Sequence, residues 1–348
     1  MKNKFFCLIF LIFLLTCEIS ALSIKSEKSA NGEKSENFFL KNLNLNLKPY
    51  FTARLGVQDE FVYTENSLGE TKILSELNWE QKPIFFGGIK VQTGFCGFNF
   101  AFKYQEALPL KCGTVFDSDW QNVALSNLPS DSEILTYKTN YSESECKLER
   151  YYNWILELNY TKEFKNQIGI KLFAQFDYSY SSFVANGGTY WYGAYNSSEN
   201  YYENYTTVEN ASYFSGKVLA LERINYITWV GFSLSARFSH FSFCTDFALC
   251  PFIHTDSLDS HFLRSSTGTY FLDEMDSFFS GVKFGFLGKF YFNSQNFISL
   301  ELENTFINSL YGATYSAQSR TDKFTLISGN SGASFKFVDF TFSFCHLF

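Results

Sequence analysis

Two pairs of residues carry most of the chemistry that this sequence could do. Asp117 and Asp119 stand one residue apart in GTVFDSDWQN, residues 113–122, directly before Trp120. Asp259 and His261 stand at the same spacing in SLDSH, residues 257–261. In an extended chain a two-residue spacing places both side chains on one face. The second pair could therefore join a carboxylate to one ring nitrogen of an imidazole and leave the other nitrogen free as a base. The ordinary alternative for Asp-x-Asp is turn chemistry, because Asp bonds nearby backbone N–H groups. A metal site made of His254, Asp256, Asp259 and His261 is also open, although nothing in their spacing selects a metal. The other two histidines read structurally, His240 as a turn residue and His346 as a member of the last strand.

The elements that must position these residues are strands. Phe51, Ala53, Leu55 and Val57 alternate with Thr52, Arg54, Gly56 and Gln58, and Phe98, Phe100, Phe102 and Tyr104 alternate with Asn99, Ala101 and Lys103. That period of two gives one apolar and one mixed face. Ten such segments are predicted, over 46–63, 72–93, 98–107, 147–162, 167–184, 219–238, 241–252, 275–292, 296–311 and 325–348. Short breaks such as TGFCG, KEFKNQ, SHF and NSQN alternate with long polar ones at 64–71, 108–146, 185–218, 253–274 and 312–324. Short turns on one side and long loops on the other mark a transmembrane barrel of the bacterial outer membrane. The predicted class is thus all-β, a ten-stranded antiparallel transmembrane β-barrel with long outer loops. The closing FVDFTFSFCHLF, with Phe340, Phe342, Phe344 and Phe348 on one side of the pleat, resembles the final strand of such barrels.

Composition agrees. With 43 Phe and 22 Tyr in 348 residues and a mean hydropathy of only -0.11, the rings have to face lipid on alternate positions. The net charge of -7 leaves no basic footprint for nucleic acid and fits cationic substrates better. Residues 1–21 read as an export signal, with Lys2 and Lys4 before an apolar run from Phe5 to Leu15 that is too short to span a bilayer. Cleavage after Ala21 is expected, with lipidation at Cys17 as the alternative. Residues 22–44 form a polar, disordered lead-in, and 45–348 form the barrel. Among the cysteines no zinc spacing occurs. Cys112 and Cys146, at the two ends of one polar stretch, are the most plausible disulfide pair, while Cys244 and Cys345 read as packing residues.

Taken in order, LGVQDEFVY, ILSELNWE, GTVFDSDWQN, SSFVANGGTYWYG, YITWVGFSLSARFSHF and SLDSHF resemble the omptin family of outer-membrane endoproteases. The resemblance spans nearly the whole mature chain. It implies that Asp117 and Asp119 are a carboxylate couple facing the dyad of Asp259 and His261. A water between His261 and Asp117 would lose a proton to His261 while attacking a peptide carbonyl, with Asp259 orienting the ring. Asp119, a like-charge neighbour, would let the couple share a proton and offer a donor to the oxyanion. Glu60 matches the position that faces a cationic side chain before the scissile bond. A second carboxylate expected two residues before the dyad Asp is replaced by Ser257, beside Asp256, which loosens the expected basic specificity. In FDYSYSSF, Tyr178 and Tyr180 stand where an acidic and a basic residue would help hold lipopolysaccharide.

The expected protein is a monomeric outer-membrane endopeptidase open to the exterior. It acts on cationic peptides or exposed protein segments, contacts outer-membrane lipid, and needs no metal or other cofactor. The alternative is a barrel serving as adhesin or receptor through YWYGAYNSSENYYENYTTVENASY, residues 190–213. A small pore fits less well, because ten strands are filled by their own side chains.

Overall fold

The computed structural model describes residues 44–347, apart from 67–68, 96, 126–131, 165–166 and 294–295. The export segment, Cys17, nearly all of the lead-in and Phe348 lie outside the described residues. The chain forms β1 (Asn44–Glu65), β2 (Thr71–Phe95), β3 (Phe98–Ala107), β4 (Lys111–Asp119), β5 (Asn140–Glu163) and β6 (Ile168–Tyr192). There follow the two-residue strands β7 (Tyr195–Asn196) and β8 (Tyr201–Tyr202), then β9 (Ser212–Phe238), β10 (Phe241–His261), β11 (Thr269–Tyr291), β12 (Asn296–Ala317) and β13 (Thr325–Leu347). Each long strand pairs antiparallel with its chain neighbours, β3 and β4 together fill one place between β2 and β5, and β13 returns to β1. The result is a closed barrel of ten staves, which leaves no long edge unpaired.

All ten expected segments are present, and their upper ends run further than the hydrophobic pattern indicates. Strands from β9 at 27 residues to β10 at 21 are about twice the ~9–11 residues that a tilted membrane span needs. The lower halves carry the outward apolar belt: Leu47, Phe51 and Leu55 on β1, Val230, Phe232 and Leu234 on β9, Phe241, Phe243 and Leu249 on β10, and Phe340, Phe342 and Phe344 on β13 are all exposed. An aromatic girdle caps it on one side, where Tyr178 lies 5.2 Å from Trp154 and 5.3 Å from Tyr226, ring centre to ring centre. Above this level both faces of the barrel wall meet water or protein, so strict apolar alternation is no longer required. Stretches expected as loop, 111–119, 140–146 and 253–261 among them, are therefore strand.

The interior is closed off in layers. A lower cavity of about 970 Å³ is lined by Lys48, Lys103, Lys171, Glu157 and Glu301. Above it Arg54 grips Asp339 with two bonds of 2.7 Å and stacks 4.5 Å from the Phe337 ring centre. Two apolar clusters fill the next layer, one around Trp79, Phe86 and Phe183 and one around Trp229, Ile253 and Phe335. These side chains plug the lumen beneath its upper mouth, which disfavours the pore reading.

Cys112 and Cys146 face each other across β4 and β5 with their sulfurs 3.3 Å apart, both as thiols. Cys345 is buried with its thiol against Asn46, and Cys244 is half-buried beside Asp246.

Candidate active site

Two bulges decide which residues enter the lumen. On β10 the inward residues of the lower half are Cys244, Asp246 and Ala248, which line the cavity. Continued alternation would turn Leu258 and Ser260 inward. The register slips between Cys250 and Phe252, at Pro251, and from there Ile253, Thr255, Ser257, Asp259 and His261 face in. Proline lacks the N–H that a ladder needs, and a one-residue slip exchanges the faces of a strand. The third stave breaks at Pro109 in the same way, and a second slip falls between Lys111 and Gly113. Cys112, at the slip itself, packs inward, and so does Val115 after it. Gly113 has a φ of +128°, and a Cβ there would lie 2.8 Å from Glu80 Cβ. Asp117 and Asp119 follow Val115 at the same parity.

The structure thus brings Asp117, Asp119, Asp259 and His261 to one upper mouth, above the lipid-facing belt, on strands rather than in loops. Nε2 of His261 bonds Oδ2 of Asp259. That leaves Nδ1 as the nitrogen not engaged by the dyad carboxylate, and Phe271 meets the ring edge-on at 5.4 Å. Asp119 accepts from Asn140 Nδ2 at 3.1 Å. Burial, reinforced by the charge of Asp119, pushes Asp117 up to about 7, with His261 and Arg264 opposing the rise. A carboxyl in that range holds a proton at neutral pH about half of the time.

The metal alternative fails on geometry. His254 is on the outer wall, bonded through Nδ1 to Asp276 at 2.6 Å, with its Nε2 3.0 Å from Asp256 Oδ1. Asp259 and His261, at the opposite parity of the same strand above the Pro251 bulge, point into the lumen, so the four cannot converge on one ion.

Glu60 is buried below the dyad with both oxygens engaged from within. Its Oε2 accepts from Trp79 Nε1 at 2.9 Å, and its Oε1 accepts from Ser257 Oγ at 3.2 Å and lies 3.2 Å from Arg223 Nη2. Burial raises its pKa, and Arg223 opposes that rise. Arg223, fully buried, also donates to Ser257 at 2.9 Å and Gln58 at 3.1 Å. The sequence reading missed Arg223 and Asp273. A lone Arg at the inward parity of LALERINYI was the available signal for the first. Asp273 lay within a stretch expected to be loop.

Above and around the mouth, residues 190–213 are folded down rather than free. Asn122 bridges to Tyr202 through bonds of 2.8 and 2.7 Å, and β7 pairs with β8. On the outer wall Tyr178 belongs to the girdle, while Tyr180 donates to Glu222, which Arg320 also holds.

The Omptin family model matches residues 44–347. The crystal structure of outer membrane protease OmpT from Escherichia coli matches with a TM-score of 0.69 at 14% identity, covering 88% of this chain and 97% of that one. Neisserial surface protein A and the translocator domain of autotransporter NalP from Neisseria meningitidis match less well. They cover 84% and 94% of this chain and 95% of each of their own, at 9% and 6% identity; their TM-scores of 0.23 and 0.28 carry no argument. No curated protein matches in sequence. From the family match over the whole described barrel, together with a shared fold, the chain belongs to the Omptin family.

Proposed function

We propose that this protein is an endopeptidase that cleaves cationic peptides or exposed protein segments at a barrel mouth facing the exterior, using Asp117, Asp119, Asp259 and His261. One observation supports the reading: the Asp117/Asp119 pair on β4 and the hydrogen-bonded Asp259–His261 pair on β10 face inward from separate walls of one lumen.

A water held between Asp117 and His261 attacks the peptide carbonyl carbon, and its proton passes to Nδ1 of His261. Asp259, bonded to Nε2, fixes the ring and stabilises the imidazolium. The proton on the Asp117/Asp119 couple bonds the developing oxyanion. Collapse of the tetrahedral intermediate breaks the C–N bond, and His261 returns its proton to the leaving amine, which leaves a carboxylate and a free amine. Neither Ser nor Cys takes part. The floor under the dyad is rich in carboxylates, with Glu60 the sequence's candidate contact, and this favours a Lys or Arg side chain. The working form is a monomer in outer-membrane lipid.

The test is incubation of refolded protein in lipid, with and without lipopolysaccharide, with a mixed peptide library whose cleavage sites are read by mass spectrometry. Cleavage that serine and cysteine reagents and chelators leave intact is expected. A wild-type protein that cuts nothing would instead favour an adhesin or receptor working through residues 190–213.

A further inference from the structure

The row of side chains one step below the dyad can be read across four strands. Arg223 on β9 pairs in register with Ser257 on β10, Ser257 with Asp273 on β11, and Asp273 with Thr314 on β12. Asp259 stands two residues above Ser257, and Glu60 reaches into the same row from β1 to accept from the Ser257 hydroxyl. This row is therefore the floor that a substrate side chain meets when it descends past Asp259.

Its charges are unequally occupied. Glu60 is held by Arg223, Trp79 and Ser257, so a guanidinium built into the protein already stands where an incoming cation would otherwise pair. Arg223 is stacked 5.1 Å from the Phe335 ring centre and has no exposed surface, so it has nowhere else to go. Asp273 is the opposite case. It is 8% exposed, and its Oδ1 is buried with no hydrogen-bond partner among the described residues. An acceptor left bare in a protein interior loses its hydration without a replacement, and a ligand that supplies a donor recovers that loss.

We propose that Asp273, rather than Glu60, is the specificity-determining carboxylate of this site, and that it takes the Lys or Arg side chain of the substrate while the Glu60–Arg223 pair forms a neutral wall of the subsite. The assignment rests on the protease reading above for the identity of its ligand. The charges facing Asp273 agree with it. Burial first, then Glu60 and Asp259, raise it to about 7, while the Thr314 hydroxyl and Arg223 pull the other way. An arriving cation relieves that repulsion. Arg223 limits how much basic charge the row accepts, so the subsite holds one cationic group and not two.

Binding measured without turnover separates this proposal from the protease reading. The His261→Ala protein in lipid is titrated with a peptide carrying one Arg and with the same peptide carrying citrulline, which keeps the shape and removes the charge. The Arg peptide is expected to bind at least tenfold more tightly. Adding Asp273→Asn should bring the two peptides within about twofold of each other. Adding Glu60→Gln together with Arg223→Met, which removes the wall's charges as a pair, should leave the Arg preference within about threefold of its starting value. Heat-modifiable gel migration checks that each variant is folded. Equal binding of the two peptides, no binding of either, or a preference that survives Asp273→Asn and is lost with Glu60 overturns the proposal. Failure of the wild type to cleave, with the binding preference intact, overturns only the protease reading.

Discussion

Arg223 and Glu60 meet across the lumen, Nη2 to Oε1 at 3.2 Å, and both are buried. Breaking such a pair by removing one partner strands a charge in the interior, at a cost of about 3–5 kcal/mol. Glu60→Gln alone should therefore lower the unfolding midpoint followed by heat-modifiable migration. Glu60→Gln with Arg223→Met should recover most of the loss. A single variant as stable as the parent would mean that the pair is solvated rather than buried.

Catalysis should fail through kcat. His261→Ala and Asp117→Ala are each expected to reduce kcat by roughly 10²–10⁴-fold, the range of a positioned general base, with little change in KM. Steady-state kinetics on the best peptide from the library decides the matter. Near-normal turnover in the His261 variant would remove the dyad from the mechanism.

Stability should fall as pH rises through the site's own titration. Burial and neighbouring carboxylates hold Asp117 and Asp273 at about 7 in the folded barrel. An unfolded Asp titrates near 3.9. Between those values the folded state binds more protons than the unfolded state, so unfolding free energy decreases with pH across roughly 4 to 7 and levels off above. Denaturant midpoints taken over that range should show the slope, and Asp117→Asn with Asp273→Asn should flatten it. An unchanged slope in the double variant would place the titration elsewhere.

The Cys112 and Cys146 thiols, 3.3 Å apart at the foot of the Asp117 strand and on its neighbour β5, should close under an oxidant. With oxidised glutathione, the two thiols give up two protons and two electrons and the glutathione disulfide is reduced. Mass spectrometry after alkylation should show both cysteines protected. The link closes a loop of some thirty residues and should add about 3–4 kcal/mol. Full alkylation of both residues after oxidation would show that the strands hold the sulfurs apart.

Much of this protein was legible in its sequence because the lower barrel obeys one rule. Lipid outside and a polar lumen inside force a period of two, so the Phe-rich alternations of residues 98–104 and 340–344 marked strands, and the unequal breaks marked the two ends. Asp-x-Asp and Asp-x-His could be recognised as same-face pairs for the same reason: spacing alone fixes a shared face. Which face they share was settled only in three dimensions. The slip at Pro251 exchanges inside and outside halfway up β10, and no count of alternating residues from below can carry across it; on the third stave the break at Pro109 and the slip between Lys111 and Gly113 cancel, so Asp117 and Asp119 return to the inward parity of Ala101 and Lys103. Above the lipid the wall no longer needs apolar residues, so strand 111–119 and the rise to His261 looked like loop. The partner of Glu60 was hidden for a related reason. Arg223 lies on the far side of the closed ring, and only closure, with β13 returning to β1, sets a buried guanidinium against that carboxylate while Oδ1 of Asp273 keeps no hydrogen-bond partner among the described residues.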